Sequence, residues 1–229
     1  MKKTATIALT LALLISLASC ARTDISGITS LISGSETEKD NTASSTQEPD
    51  AELPVRGSSE GAVYENASLA LGIKFDDEWT LYSDAQIATL NGLAEETLGE
   101  DYTEAVKNAD MIYDLYAMRS DGSSMNIIFE NMGIIYGSVM SESDYIDASM
   151  SQAETTFSQM NWTLESSEKV TVTAAEQEFN ALELAVNIGS GYLYETLICK
   201  KIGNHMAVMT IASVDRSVID GIIADFYKV

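Results

Sequence analysis

The chain has 229 residues, and its 35 Asp and Glu against 13 Lys and Arg give a formal net charge of −22 at neutral pH. Because nucleic acids and anionic bilayers attract cationic surfaces, such an acidic chain is not expected to bind nucleic acid or an anionic bilayer surface directly. One His and two Cys are too few for a structural zinc site or a disulfide framework, whereas the length and the 45% hydrophobic content are typical of one globular domain with tails.

The N-terminal residues show the pattern of an export signal. Two lysines precede an apolar run over residues 5–18 that is too short to span a bilayer. The run ends in Leu-Ala-Ser-Cys at residues 17–20, which resembles the lipobox of bacterial lipoproteins. The resemblance implies removal of residues 1–19 as a signal peptide, a diacylglyceryl group on the Cys20 thiol, and anchoring at the extracytoplasmic face of the cell membrane. The alternative is an ordinary signal peptide in which Cys20 is incidental.

Residues 20–62 have the composition of a flexible linker. The segment is rich in Ser and Thr, holds both prolines of the chain and contains no aromatic residue. It therefore buries too little apolar surface to offset the entropy of ordering. We expect a lipidated tether with a mean span of roughly 35 Å that ends where the folded domain begins at Val63.

Residues 63–229 contain no proline and are long enough to build one hydrophobic core. The first half of this domain starts with three short strands and continues with a helix. That helix is predicted from a capping box of Ser83 and Gln86, apolar residues at helical spacing, and Gly99 at its end. A shorter helix and a β-hairpin with a turn at residues 120–123 complete this half. The strands and the shorter helix are predicted over residues 63–68, 71–75, 79–82, 102–109, 111–118 and 125–129.

The second half begins with a long helix over residues 141–160, with Ser141 and Asp144 at its start. Two strands follow, then a second hairpin that turns at Gly203-Asn204, and a last helix. Because hairpins alternate with helices, the predicted fold class is α+β, an antiparallel β-sheet flanked by α-helices. The later strands and the last helix are predicted over residues 162–172, 178–186, 192–201, 206–213 and 216–226.

The start of this domain resembles the PsbP-like fold. Residues 64–66, then Leu-Gly-Ile-Lys-Phe at 71–75 and then Trp79, are similar to the opening of that family. The hairpin over residues 113–131 and the order of the later elements are similar to its bacterial members. Glu78 stands where such proteins often have a proline. The family includes photosystem subunits, a nuclear Ran-binding factor and bacterial lipoproteins, so the resemblance implies a fold and not a mechanism.

Side chains that could carry catalysis are few. His205 is the one imidazole of the chain, and we expect it to be exposed beside its turn and not catalytic. With Cys20 lipidated, Cys199 is the one free thiol, which we expect to be buried in a strand and inert. The sequence contains neither a Gly-x-Ser-x-Gly elbow nor a Gly-rich phosphate loop. Lipidation of Cys20 is thus the one predicted site, with no catalytic residue, cofactor or metal ligand predicted.

Two further patterns leave alternatives open. Acidic clusters at residues 76–78 and at residues 100, 101 and 104 offer oxygen atoms to Ca²⁺, but neither has the spacing of a calcium loop, so solvated loops are the default interpretation. Ten Tyr and ten Met residues, several of them on the two predicted hairpins, either fill the core or form a recognition surface.

The sequence favours a lipid-anchored, extracytoplasmic binding or accessory module of the bacterial cell envelope over an enzyme. Its partner would be an envelope protein or a cell-wall component near the membrane. The alternative is a secreted-side hydrolase that uses paired carboxylates. A concave pocket holding two carboxyls of raised pKa would favour the hydrolase, and a flat sheet face exposing Tyr and Met would favour the binding module.

Overall fold

Two antiparallel β-sheets carry the fold in the computed structural model, which describes residues 52–99 and 101–229. In these described ranges, the larger sheet has seven strands and the smaller one has four. The strands are β1 (Ser58–Glu60), β2 (Val63–Asn66), β3 (Leu71–Lys74), β4 (Trp79–Leu81), β5 (Met111–Arg119), β6 (Ser124–Asn131), β7 (Thr163–Ala174), β8 (Gln177–Asn187), β9 (Tyr192–Ile202), β10 (His205–Ser213) and β11 (Phe226–Lys228). The α-helices are α1 (Asp84–Asn91), α2 (Tyr102–Asn108), α3 (Gly133–Val139), α4 (Glu142–Gln159) and α5 (Arg216–Asp225).

The larger sheet has the strand order β4-β5-β6-β10-β9-β8-β7, and the smaller sheet has the order β1-β2-β3-β11. Neighbouring strands are antiparallel throughout both sheets. Both predicted hairpins are present, as β5-β6 and as β9-β10 around Gly203. Antiparallel sheets with packed helices confirm the predicted α+β class.

Side chains that lie opposite each other in antiparallel register point to the same face of a sheet. Helix α4 covers one face of the larger sheet, which we call face A. There the Glu142 carboxylate accepts from the Lys201 backbone N–H at 2.9 Å and from Asn180 Nδ2 at 2.8 Å. The opposite face, face B, packs against the smaller sheet, as when Lys200 Nζ donates to the Leu69 carbonyl at 3.0 Å. The core therefore lies on both sides of the larger sheet.

The helix predicted from residue 83 to residue 99 is divided in the structure. Its start is correct, since Ser83 and Gln86 form the capping box. The helix ends early because Gly92 adopts φ 64° and its N–H bonds back to carbonyls of the last turn, which closes the helix. A separate 3₁₀ turn then spans Glu95–Leu98. The predicted end at Gly99 was therefore wrong, because the helix ends at Asn91 and Gly92 is its C-terminal cap.

The structured chain begins before the predicted boundary at Val63. Pro54 is buried, the Gly57 backbone N–H donates to a core carboxylate, and β1 pairs with β2. Residues 52–62 of the predicted linker thus belong to the folded domain. The remainder of the linker and the predicted signal peptide lie outside the described residues. Among the described residues, no helix has the length and apolar content that crossing a membrane requires.

Candidate functional site

His205 is not exposed, contrary to the expectation from its position beside a turn. The side chain is 3% exposed, and Nε2 lies 3.2 Å from the Val106 carbonyl oxygen of α2. Burial lowers the pKa of the imidazole, which therefore stays neutral at pH 7. The ring is enclosed because α2 packs over it, a contact between segments 99 residues apart that no local pattern reveals. The backbone of Glu52 lies against Gly203 of the same turn.

Cys199 is buried in β9, as predicted. Its side chain is 1% exposed on face A. Burial raises the pKa of the thiol well above its usual range, and the nearby carboxylates of Glu142 and Glu130 add to that shift. A thiol that stays protonated and excluded from water is a poor nucleophile. The predicted lipidation site, Cys20, lies outside the described residues.

The described residues of the acidic clusters are exposed, and some of them are paired. Asp76 Oδ1 accepts the Glu78 backbone N–H at 2.8 Å, and the Glu78 carboxylate pairs with Arg119. Glu104 pairs with Lys107 at 3.2 Å, one turn along α2. Within residues 52–99 and 101–229, no three His, Cys, Asp or Glu side chains are grouped as metal ligands.

The Tyr and Met side chains of the two hairpins mainly fill the core. Alternation places Tyr116 on face A and Met125 on face B, and both are buried. Met206 and Met209 of the second hairpin are buried as well. Tyr192 differs, with 46% of its surface exposed. The flat Tyr and Met surface that would have favoured a binding module is thus not formed by these side chains.

The carboxylate of Asp114, which is not among the predicted site residues, is central to the packing of the two sheets. Asp114 lies at a β-bulge of β5 and is buried. Its oxygens accept the Gly57 N–H at 3.0 Å, Asn66 Nδ2 at 2.9 Å and the Tyr102 hydroxyl at 3.2 Å, and also the Tyr64 hydroxyl. Burial raises the pKa of this carboxyl, and the donors oppose the rise. The sequence contains a signal for this role, because an Asp inside an apolar strand run requires buried hydrogen-bond partners.

A second buried carboxyl, that of Glu195, differs from Asp114 because it lacks hydrogen-bond donors within the described chain. Glu195 of β9 is fully buried, and neither carboxyl oxygen has a hydrogen-bond partner among the described residues. Burial raises its pKa to about 8, so the group is protonated at neutral pH. Asn126 of β6 lies on the same face, is also fully buried, and has no partner for either amide atom in the described part of the chain. The small side chain of Ala212 lies opposite Glu195, on the strand between them.

The two carboxyls of raised pKa do not share a pocket. Asp114 is on β5 and Glu195 is on β9, and two strands separate them. Strand spacing places the two backbones about 14 Å apart. Asp114 is saturated with donors, whereas neither oxygen of Glu195 has one within the described chain. This arrangement does not provide the paired, accessible carboxylates that a hydrolase needs.

An open groove of about 310 Å³ lies between α4 and the start of β7. Its apolar part is formed by Met150 and Leu164, and three serines and two carboxylates surround it. β7 is the edge strand of the larger sheet, twelve residues long, and no strand of the described chain pairs with its outer side. Its polar lining residues are Ser151, Glu154, Glu165, Ser166 and Ser167.

Helix α3 forms an exposed apolar patch. Ile134, Ile135 and Val139 are 69%, 77% and 73% exposed, and Tyr136 is exposed beside them. Residues 132–140 contain no charged side chain. No element is predicted for this segment from the sequence. Large exposed apolar patches in a soluble domain mark contact surfaces.

No protein-family model and no curated protein matches the chain. Among solved structures, the chain is similar to cyanobacterial PsbP (CyanoP) from Synechocystis sp. PCC 6803, determined in solution. The two share 12% sequence identity, the match covers 82% of this chain and 98% of that chain, and the TM-score is 0.43.

Proposed function

We propose that this chain is a lipid-anchored binding module of the bacterial cell envelope, which captures an extended segment of an envelope protein in the groove between α4 and β7. The observation that carries the proposal is the groove itself, open to solvent beside a long edge strand whose outer side pairs with no strand of the described chain. Extended peptides add to such edges through main-chain hydrogen bonds, and side-chain pockets beside the edge supply specificity.

The lining of the groove indicates the chemistry of the partner. Met150 and Leu164 offer apolar contact at the centre, and three serine hydroxyls offer hydrogen bonds. Glu154 and Glu165 place two negative charges at the groove. A segment with an apolar side chain flanked by Lys or Arg complements this lining, and a net charge of −22 disfavours acidic partners.

The membrane anchor of the proposal is the lipid on Cys20. Cys20→Ala should abolish incorporation of labelled fatty acid and leave the precursor uncleaved by the lipoprotein peptidase. Cys199→Ala is the matched control, because it removes the buried thiol and leaves the lipobox intact. Membrane retention of a correctly cleaved Cys20→Ala protein would contradict the anchor.

Capture in the groove is tested with the full-length, lipidated chain. A photo-activatable residue replacing Ser167 should give one discrete crosslinked protein in the membranes of the source organism, identified by mass spectrometry. The same residue replacing Ala148 is the control, since Ala148 is exposed on α4 but does not line the groove. A crosslink to cell-wall glycan would identify a cell-wall partner instead.

A pair of substitutions on one helix tests whether the groove is the binding surface. Ser151→Arg places a long cation in the groove and should remove the crosslinked product, whereas Ala148→Arg adds the same charge outside it and should retain the product. Equal products from both variants would show that the partner binds elsewhere. Circular dichroism of each variant checks that both remain folded.

A further inference from the structure

We propose that α3 is a second membrane contact, which inserts its apolar side chains shallowly into the bilayer beside the lipid anchor. The inference rests on the lipid anchor of the proposed function and adds to it a fixed orientation of the domain. The occupant of the patch is the lipid surface itself, not a protein.

The composition of the patch suits an interfacial position. Ile134, Ile135 and Val139 present branched aliphatic groups to the outside, each more than two-thirds exposed. Tyr136 adds an aromatic ring with a polar hydroxyl, a type of side chain enriched at the membrane–water interface. Because residues 132–140 carry no charge, their insertion requires no charged side chain to leave water.

The position of the patch connects it to the anchor. The described chain begins at Glu52, and its backbone lies so close to Gly203 that a Cβ there would clash with it. The next residue, Asn204, packs on Gly137 of α3, and the Met132 backbone N–H donates to the Asn204 carbonyl at 3.0 Å. The chain from Cys20 therefore enters the domain beside α3.

A bilayer fits this patch better than a second copy of the chain does. Seven residues of helix are about 10 Å long, whereas a stable dimer buries roughly 800 Å² on each partner. Two copies would also bring two chains of net charge −22 together. A lipid-anchored domain needs no large interface, because the anchor already holds it at a high local concentration near the bilayer.

The acidity of the chain makes the inference specific to lipid type. Anionic headgroups repel a chain of this charge, so insertion of α3 should be stronger in phosphatidylcholine bilayers than in bilayers rich in phosphatidylglycerol. Salt should strengthen insertion into the anionic bilayers by screening the repulsion. Insertion driven by cationic side chains would show the reverse dependence on salt.

The orientation that results leaves the groove accessible. Ser167 pairs with Leu184, which pairs with Glu195, which in turn pairs with Ala212. Measured along the strands, the groove is therefore aligned with Ala212 of β10. Ala212 is eight residues, or about 26 Å, from Asn204 at the turn beside α3. With α3 in the bilayer, the groove lies toward the end of the sheet that is distant from the membrane.

The test places one environment-sensitive fluorophore on the full-length, lipidated protein in phosphatidylcholine vesicles. Ile135→Cys supplies the labelling thiol, since Cys199 is buried and Cys20 is acylated. We expect emission at shorter wavelength and a several-fold stronger signal on vesicle binding, with quenching by lipids that carry a nitroxide on the acyl chain. Val214→Cys is the matched control, because Val214 is 61% exposed just beyond the distal end of β10 and should show neither effect.

The outcomes separate this inference from the proposed function. If the label at position 135 stays in water, or responds as the label at position 214 does, the inference is overturned, and flotation of the protein with the vesicles still supports the anchor. If the protein does not float with the vesicles, the anchor of the proposed function fails. Stronger insertion into phosphatidylglycerol than into phosphatidylcholine would also overturn the inference.

Discussion

The Tyr64 hydroxyl donates a hydrogen bond to Asp114 Oδ2, across 50 residues of sequence and with both side chains buried. Tyr64 belongs to β2 of the smaller sheet, and Asp114 belongs to β5 of the larger one. The bond therefore joins the two sheets directly. Because a buried carboxylate needs donors, the cluster around Asp114 also determines how the start of the domain packs.

Removing the carboxylate should destabilise the domain more than removing one donor. Tyr64→Phe takes away a single hydrogen bond, and we expect a loss of about 1–2 kcal/mol in the free energy of unfolding. Asp114→Asn replaces an acceptor oxygen with an amide donor that faces groups which are themselves donors. We expect the free energy of unfolding to fall by about 3 kcal/mol or more. Urea unfolding measures both. Tyr227→Phe is the control, since its bond to Glu65 is exposed and should contribute little; equal losses for all three variants would contradict this role of Asp114.

Truncation should show that the folded domain begins before Val63. A chain starting at Val63 lacks the Gly57 N–H that bonds Asp114 and the Arg56 side chain that pairs with Asp84 at 2.5 Å. Relative to a chain starting at Glu52, we expect a loss of about 2–4 kcal/mol, measured by urea unfolding. Equal stability of the two chains would mean that residues 52–62 contribute no packing.

The sequence predicted those elements whose signals are local. The capping box of Ser141 with Asp144 fixes the start of α4, and Gly203-Asn204 between two apolar runs fixes the second hairpin. Helix α3 was missed because its short apolar segment has no polar face, and an exposed apolar helix contradicts the pattern that identifies helices. The end of α1 was misplaced because Gly92 and Gly99 are equivalent as sequence signals.

The functional surfaces were less predictable, for a physical reason. The groove combines α4 with an edge strand, and which strand forms an edge depends on the order of the whole sheet. Burial of His205 likewise depends on α2, because the Val106 carbonyl that faces the imidazole lies 99 residues away in the sequence. The burial of Glu195 was predictable from the sequence, since an acidic residue within an apolar strand run indicates an unusual environment.

Glu195 should make stability fall as the pH rises. In the folded state burial raises its pKa to about 8 from the ordinary 4.5, so between these values the unfolded chain loses the proton and the folded chain keeps it. Ionisation thus favours unfolding, with a slope of about 1.4 kcal/mol per pH unit across this window. Below pH 4.5 the effect vanishes, because both states are protonated.

Glu195→Gln should remove that slope from the pH dependence of urea unfolding between pH 4.5 and pH 8. The neutral amide occupies nearly the same volume, so packing is retained while titration is lost. Glu154→Gln changes the same charge at an exposed position of α4 and should leave the slope in place. Parallel pH profiles for the native chain and Glu195→Gln would show that Glu195 is ionised in the folded state.

His205 should not be required for partner capture. Its imidazole is enclosed between β10 and α2, and Nε2 already faces the Val106 carbonyl, so no substrate can reach the ring in the folded domain. His205→Leu leaves that carbonyl without its partner but also removes the buried Nδ1, for which the described residues provide no partner. We expect a change of about 1 kcal/mol in the free energy of unfolding and an unchanged crosslinked product at position 167. Loss of the product in a variant that urea unfolding shows to be as stable as the native chain would indicate that the imidazole acts in function, and would contradict the binding module proposed here.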